Sequence, residues 1–210
     1  MGKVKTKFKR PPMILPICLV GANVEGKPNF QAIAWFNMVD YDPYLIGLSS
    51  ERSHYTNKGI KENNTFSVNI PDSTMASVTD FCGLYSGEEA DKSKVFDVFY
   101  GELQTAPLIQ KMPINVECKL TKTIELHHAD FFIGEIVGVY IKDRYLVDGK
   151  PDMKSIDPLL YEDGLNKYWS LGEFIAKAFD IGKQFKTKTE WSSLTNYSLF
   201  ISLFQTASNG

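Results

Sequence analysis

Between Ile114 and Leu126 the chain alternates with unusual regularity. Ile114, Val116, Cys118, Leu120, Ile124 and Leu126 share one parity, and nearly all residues between them are polar. Successive side chains of an extended strand point to opposite faces, so this pattern predicts one long, half-buried strand. A second long run, Asp130 to Ile141, follows after a short connection, with Gly134 and Gly138 placed to form bulges or bends in a curved sheet. Two consecutive strands of this length predict an antiparallel barrel.

The other elements are read around that pair. Pro11 to Val20 and Phe30 to Val39 are predicted strands, joined by a turn carrying Gly26-Lys27-Pro28. Asp42-Pro43 turns the chain into a strand over Tyr44 to Leu48, and a helix is predicted from Tyr55 to Glu62. Phe66 to Ile70 is a strand stopped by Pro71, and Asp72 to Cys82 a short capped helix that Gly83 ends. Past Pro158 the pattern turns helical, best over Leu171 to Phe179 with Gly182 as its stop. Strands outnumber helices without alternating regularly with them, which argues against a doubly wound parallel sheet. Thr187 to Gly210 follows no period and is read as a tail, disordered or extraneous, behind a single domain of residues 1–186.

Composition narrows the function classes. A chain of 210 residues that is 43% apolar and 13% aromatic can bury one full core. With 23 basic and 25 acidic residues interspersed, net charge −2, it lacks the broad positive field that nucleic acid requires. Cys18, Cys82 and Cys118 are odd in number and have no Cys-x-x-Cys spacing, so neither a disulfide framework nor a metal cluster is expected. No apolar stretch approaches the roughly 18 to 20 residues needed to cross a bilayer, and Pro11-Pro-Met-Ile-Leu-Pro16 breaks any leader-like run. A cytoplasmic protein without membrane or nucleic-acid partners is the expectation.

One junction carries chemistry. Leu48-Ser-Ser-Glu-Arg-Ser-His-Tyr-Thr56 leaves a strand and opens a helix. Early helical N–H groups lack intrahelical acceptors and carry partial positive charge. Ser49, Ser50, Ser53 and Thr56 add hydroxyls and Arg52 a cation, a set suited to a phosphate. Helix capping by the same residues is the bland alternative. Two or three charge-assisted hydrogen bonds contribute roughly 3 to 9 kcal/mol before ordering costs, whereas micromolar binding needs about 8 kcal/mol net. A ligand held here must therefore also bind through an apolar part.

Gly26-Lys-Pro-Asn-Phe30, the Ser49 to Thr56 loop, Phe66-Ser-Val-Asn-Ile-Pro71, Asp80-Phe-Cys-Gly83, Ser86-Gly87, Asp91-Lys92 and His128…Gly134-Glu135 occur in that order. In this the chain resembles the flavoredoxin branch of flavin-reductase-like proteins, over roughly residues 10–185. The resemblance implies a mainly β fold with peripheral helices: an FMN-binding split β-barrel of antiparallel Greek-key type, usually a homodimer with the flavin near the subunit interface. By position, Asn29 and Trp35 resemble the family's contacts around the ring and ribityl chain, with Phe36 and Asn37 supplying main-chain groups beside the ring. Ser49, Ser50, Ser53, His54 and Thr56 look like the phosphate end, Lys92 the cationic contact, and His128 and Tyr161 residues that close the pocket.

A flavin carries its own redox chemistry, so the protein needs no general acid or nucleophile and must bind, orient and polarise the ring. The function implied is electron or hydride transfer through bound FMN, as an NAD(P)H-dependent flavin reductase or as a carrier serving a redox protein partner. The alternatives are a flavin or small-ligand sensor or store, and a structural dimer that has lost its cofactor. For Trp35 the competing reading is a barrel-core tryptophan, and for Lys92 a solvated lysine in the charged patch Glu88-Glu-Ala-Asp-Lys92. His127 and His128, read as strand neighbours on opposite faces, are unsuited to share one metal ion. Cys82 is read as a small buried hydrophobe rather than a redox thiol.

Overall fold

The computed structural model describes residues 2–185, so the expected tail from Thr187 to Gly210 lies outside the described residues. The chain divides into two units, 1–172 and 173–210. In the first, strands β1 (Met13–Pro16), β2 (Cys18–Val24), β3 (Lys27–Ile33), β4 (Phe36–Tyr41) and β5 (Tyr44–Glu51) precede helix α1 (Thr56–Asn63). After them come β6 (Thr65–Ile70), α2 (Ala76–Leu84) and the short strands β7 (Val98–Phe99) and β8 (Leu108–Ile109). The long strands β9 (Ile114–Glu125) and β10 (Ala129–Ile141) follow. A hairpin of β11 (Leu146–Val147) and β12 (Lys150–Pro151), a turn of helix α3 (Met153–Ile156), and the strands β13 (Leu160–Asp163) and β14 (Lys167–Trp169) complete the unit.

Seven strands form one sheet in the order β3-β2-β6-β9-β10-β5-β4, every pairing antiparallel. The ends β3 and β4 do not pair, so the barrel is split. Its interior is filled by Cys18, Val20, Ala22, Leu48, Phe66, Val68, Val116, Cys118 and Phe132 among others. Leu19 and Phe30, from the opposite faces of β2 and β3, pack with Met75, Cys82, Ile109 and Met112 in a second core beneath α2. Because β2 is covered on both faces, it reads as a continuous apolar run rather than an alternating one.

The alternation in β9 holds only in part. Val116 and Cys118 are buried, but Ile124 and Leu126 stay 38% and 46% exposed. Pairing with β6 stops at Lys119, and register shifts against β10 between Ile133 and Gly134, and between Ile136 and Gly138, put the far half of β9 out of step. Glu117, polar and expected outside, is fully buried. Its carboxylate accepts main-chain N–H groups of Glu102 and Leu103 at 3.1 and 2.9 Å and the Tyr140 hydroxyl at 2.5 Å, which pins the 101–103 loop to the barrel.

Several expected boundaries are corrected. The strand expected from Pro11 to Val20 is two strands parted at Ile17: β1 pairs with β13 in a separate three-stranded sheet, and β2 enters the barrel. The strand expected over Phe30 to Val39 is likewise interrupted at Ala34-Trp35, where the Trp35 carbonyl accepts the Ser49 N–H at 2.9 Å. α2 runs through Gly83 to Leu84. The largest miss follows Pro158. The chain there forms the β13–β14 hairpin, turned by Gly164 (φ 94°) and Asn166 (φ 53°), and Leu171 to Phe179 is not helical. A short amphipathic pattern becomes a helix only where a face is given something to pack against, and a free β1 edge rewarded pairing instead. In the second unit the described residues hold a single 3-10 turn, Ile181–Gln184.

Candidate functional site

Alternation along β3 places Asn29 and Gln31 on one face, toward α1 and the end of β5. Asn29 Nδ2 donates to Thr56 Oγ1 at 2.7 Å. Gln31 Nε2 donates to Ser50 Oγ at 3.1 Å and to Asn57 Oδ1 at 3.2 Å. Ser50 Oγ donates to Asn57 Oδ1 at 2.7 Å and lies 3.1 Å from His54 Nδ1, while Asn57 Nδ2 donates to the Glu51 carbonyl at 2.8 Å. The side chains in it other than that of His54 are buried, so the loop from strand to helix rests on a network of amides and hydroxyls. Gly87 lies directly over it: a Cβ there would come within 2.3 Å of Asn29 Oδ1 and 2.5 Å of the Tyr55 ring.

At the start of α1 the Asn57 and Lys58 N–H groups donate to the His54 and Tyr55 carbonyls, each at 3.1 Å. No side chain caps its N-terminus at Tyr55, and no acidic residue stands in its first turn. α1 itself is held against β2 at Gly59, where a Cβ would meet the Asn23 carbonyl at 2.2 Å, and only glycine permits that approach.

A cavity of about 440 Å³ runs along the outer face of β4, β5 and β10, lined by Trp35, Phe36, Asn37, Gly47, Ser49 and Phe131. Gly47 opens it, because a Cβ there would stand 2.5 Å from the Phe131 ring. Trp35 is 51% exposed, which excludes a barrel-core role for it. Arg10 and the buried Asp163, paired at 3.0 Å, close one side of the cavity. Ser49 and Ser50 point to opposite faces of β5, so the cavity and the polar network lie on either side of the end of that strand.

The remaining expected residues are distributed as follows. Lys92 is buried, which excludes the solvated surface reading; its ammonium donates to the Phe30 and Cys82 carbonyls at 2.8 and 2.9 Å, binding β3 to α2 one residue from Asn29. Burial lowers its pKa from the ordinary lysine value. Ser53 Oγ donates to Glu51 Oε1 at 3.2 Å. The Arg52 guanidinium faces Asp130 at 3.3 Å, and Asp130 also holds Lys61 at 2.7 Å, so the cation expected at the anion site is engaged behind the loop.

His128 joins the loop through its main chain, its carbonyl accepting the Arg52 N–H at 3.2 Å. It lies in the β9–β10 turn rather than in a strand, and its ring meets that of His127 edge-on at 4.2 Å, a correction to the opposite-face reading. Tyr161, on β13, pairs with Leu15 of the cavity wall and donates its hydroxyl to Asn166 at 2.6 Å. Cys82 is buried, and burial pushes its thiol up to about 11.

Gln31, Asn57, Gly47 and Phe131 were not foreseen. Gln31 shares Asn29's parity and Asn57 adjoins Thr56, the only signals available; Gly47 and Phe131 had none. Two features fit a phosphorylated polyol with an aromatic ring. Gln31 Oε1 is a buried acceptor without a hydrogen-bond partner among the described residues, and the uncapped start of α1 stands beside the Asn29–Thr56 pair. The cavity volume lies within the common range for small-ligand pockets, and Trp35 offers it an aromatic face.

Comparison with known proteins gives the family. The family model for the flavin reductase like domain matches residues 10–170. The crystal structure of flavoredoxin from Methanosarcina acetivorans is 45% identical, with TM-score 0.84, covering 87% of this chain and 98% of that one. Flavoredoxin of Desulfovibrio vulgaris (Miyazaki F) is 34% identical, with TM-score 0.79, covering 86% of this chain and all of that one, 100%. An uncharacterized protein of Archaeoglobus fulgidus is 31% identical over 137 residues, 64% of this chain and 76% of its own length. The split antiparallel barrel and the family match agree: this chain belongs to the flavin reductase-like family, in the company of the flavoredoxins.

Proposed function

We propose that the protein binds FMN, with the phosphate at the uncapped start of α1 and the ring in the cavity beside Trp35, and passes electrons or hydride through it. The observation that carries this reading is a helix start without a side-chain cap or acidic residue, beside a buried network of amides and hydroxyls, with an apolar cavity on the other face of β5. Bound FMN supplies reversible one- and two-electron redox chemistry. The chain's own part is to hold it. Asn29, Ser49 and Thr56 offer hydrogen bonds, Phe36 and Asn37 main-chain groups, and Trp35 an aromatic surface worth about 0.5 to 1.5 kcal/mol beyond area burial. Lys92 stiffens β3 behind Asn29 and adds positive potential, while His128 and Tyr161 stand at the ends of elements that border the site.

The site would be completed by a second copy of the chain. β4 is an edge strand of the sheet, and Met38, Val39 and Tyr41 on it are exposed, with Tyr44 beside them. An apolar edge of this kind calls for a cover. A dimer in sedimentation analysis is the expected result.

The test of the cofactor is the visible spectrum of the purified protein, with the released chromophore identified by mass. A protein that stays colourless in excess FMN would refute the reading. Anaerobic bleaching of bound flavin by NADH or NADPH assigns a reductase; flavin that resists both but is reduced by a protein donor assigns a carrier.

A further inference from the structure

The loop residue whose chemistry is constrained most tightly is His54, expected at the phosphate end. Its protonation follows from a count of hydrogens. The Asn57 amide is oriented by the Glu51 carbonyl 2.8 Å from Nδ2, which must therefore be the NH₂ end, so Oδ1 faces Ser50. Gln31 Nε2 directs its two protons to Ser50 Oγ and Asn57 Oδ1. The one proton of Ser50 goes to Asn57 Oδ1 at 2.7 Å. The remaining neighbour of Ser50 Oγ, His54 Nδ1 at 3.1 Å, must bring its own. Neutral His54 is thus the Nδ1–H tautomer, and its Nε2 carries a lone pair.

That lone pair lies on the side of the ring away from the network and has no hydrogen-bond partner among the described residues. It belongs to the residue two positions before the first helical residue of α1, where the phosphate reading places an anion. The charges acting on the ring are Glu51 from the end of β5 and Lys92 from the 3-10 turn beyond α2. Arg52 and Lys61 are occupied by Asp130. Burial foremost, opposed by Glu51 and reinforced by Lys92, lowers the His54 pKa from the ordinary histidine value, so the free protein near neutral pH presents a bare lone pair to the incoming anion. A lone pair and a phosphate dianion repel; one shared proton turns that contact into a charge-assisted hydrogen bond.

We propose, resting on the FMN reading above, that binding of the flavin 5′-phosphate takes up one proton, held between His54 Nε2 and a phosphate oxygen, so that FMN affinity is linked to pH and riboflavin affinity is not. The balance is simple. Above about pH 7.5 free FMN is a dianion, its second pKa being about 6, and free His54 is neutral. The complex contains one proton that neither carried, drawn from solvent. His54 then acts as a specificity-determining residue that selects the phosphorylated flavin over riboflavin, more strongly as pH falls.

The test is titration calorimetry of the apoprotein with FMN and with riboflavin at pH 8, in buffers of different ionisation enthalpy, which counts protons directly. The expected result is an uptake of about one proton with FMN and none with riboflavin, with FMN affinity falling about tenfold per pH unit from pH 7.5 to 9. His54→Gln, whose amide can donate without titrating, should bind FMN with no uptake and a flat pH profile. FMN binding with zero uptake in the wild type, or unchanged uptake in His54→Gln, overturns the proton linkage and leaves the FMN reading standing. No binding of FMN at all overturns both.

Discussion

Asn57→Ala tests whether the network beneath the loop is what holds the site. The wild-type amide makes hydrogen bonds with Ser50, Gln31 and the Glu51 carbonyl from a buried position. In the variant His54 can move its proton to Nε2, so that Nδ1, 3.1 Å away, accepts the Ser50 hydroxyl, and the Glu51 carbonyl keeps the His54 N–H at 3.0 Å. One group is left stranded, the second N–H of Gln31. A buried donor without a partner costs about 1 to 3 kcal/mol, and the lost packing adds to it. The expected total is about 2 to 3 kcal/mol, or a fall in melting temperature of about 4 to 12 °C for a domain of this size. Differential scanning calorimetry of the apoprotein measures it. FMN affinity, read by quenching of flavin fluorescence, should fall in parallel, because Ser50 and the loop lose their support. A fall in melting temperature under about 2 °C with unchanged affinity would refute the reasoning, since it would mean that the loop keeps its shape without the amide.

Three further outcomes are expected. Gly59→Ala drives a methyl into the Asn23 carbonyl and should cost about 3 kcal/mol or more, whereas Gly83→Ala, whose Cβ finds nothing nearer than 3.4 Å inside α2, should stabilise by about 0.4 to 1 kcal/mol; urea denaturation distinguishes them. The Tyr140 hydroxyl, whose pKa the buried Glu117 pushes up to about 12, should ionise nearer 10 in Glu117→Gln by ultraviolet absorbance, and Tyr140→Phe should lose about 1.5 to 3 kcal/mol. His54 contributes a pH dependence of known sign: with its folded pKa lowered, the unfolded chain binds more protons as pH falls below about 6.5, so the apoprotein loses stability there until the folded pKa is passed. His54→Gln should flatten that part of the stability profile.

How much of this was legible beforehand depends on the range of the interactions. The two long strands, their bulges at Gly134 and Gly138 and the strand-to-helix loop are local patterns, and the described structure contains all three. Ser50 and Thr56 were named from the loop's chemistry and Asn29 and His54 from resemblance; Asn29 pairs with Thr56, and Ser50 and His54 join Gln31 and Asn57 in a neighbouring cluster. Arg52 was misjudged because its true partner, Asp130, is 78 residues away. Lys92 sits in a run of charges and reads as surface, and only the packing of α2 on β3 encloses it.

The sequence by itself determined the class of fold and the location of the strand-to-helix turn before α1, because alternation, turn residues and helix-start chemistry act between neighbours. The tertiary structure alone decided that Pro11 to Val20 divides between two sheets, that residues 160–163 pair with β1 and 167–169 with 160–162 instead of forming a helix, and that Glu117 is buried. It also decided which hydroxyls of the loop face the network and which the cavity. Each of these depends on what a distant strand offers as a partner, and the free energy of burial and pairing across that distance outweighs a local preference of a few tenths of a kcal/mol per residue.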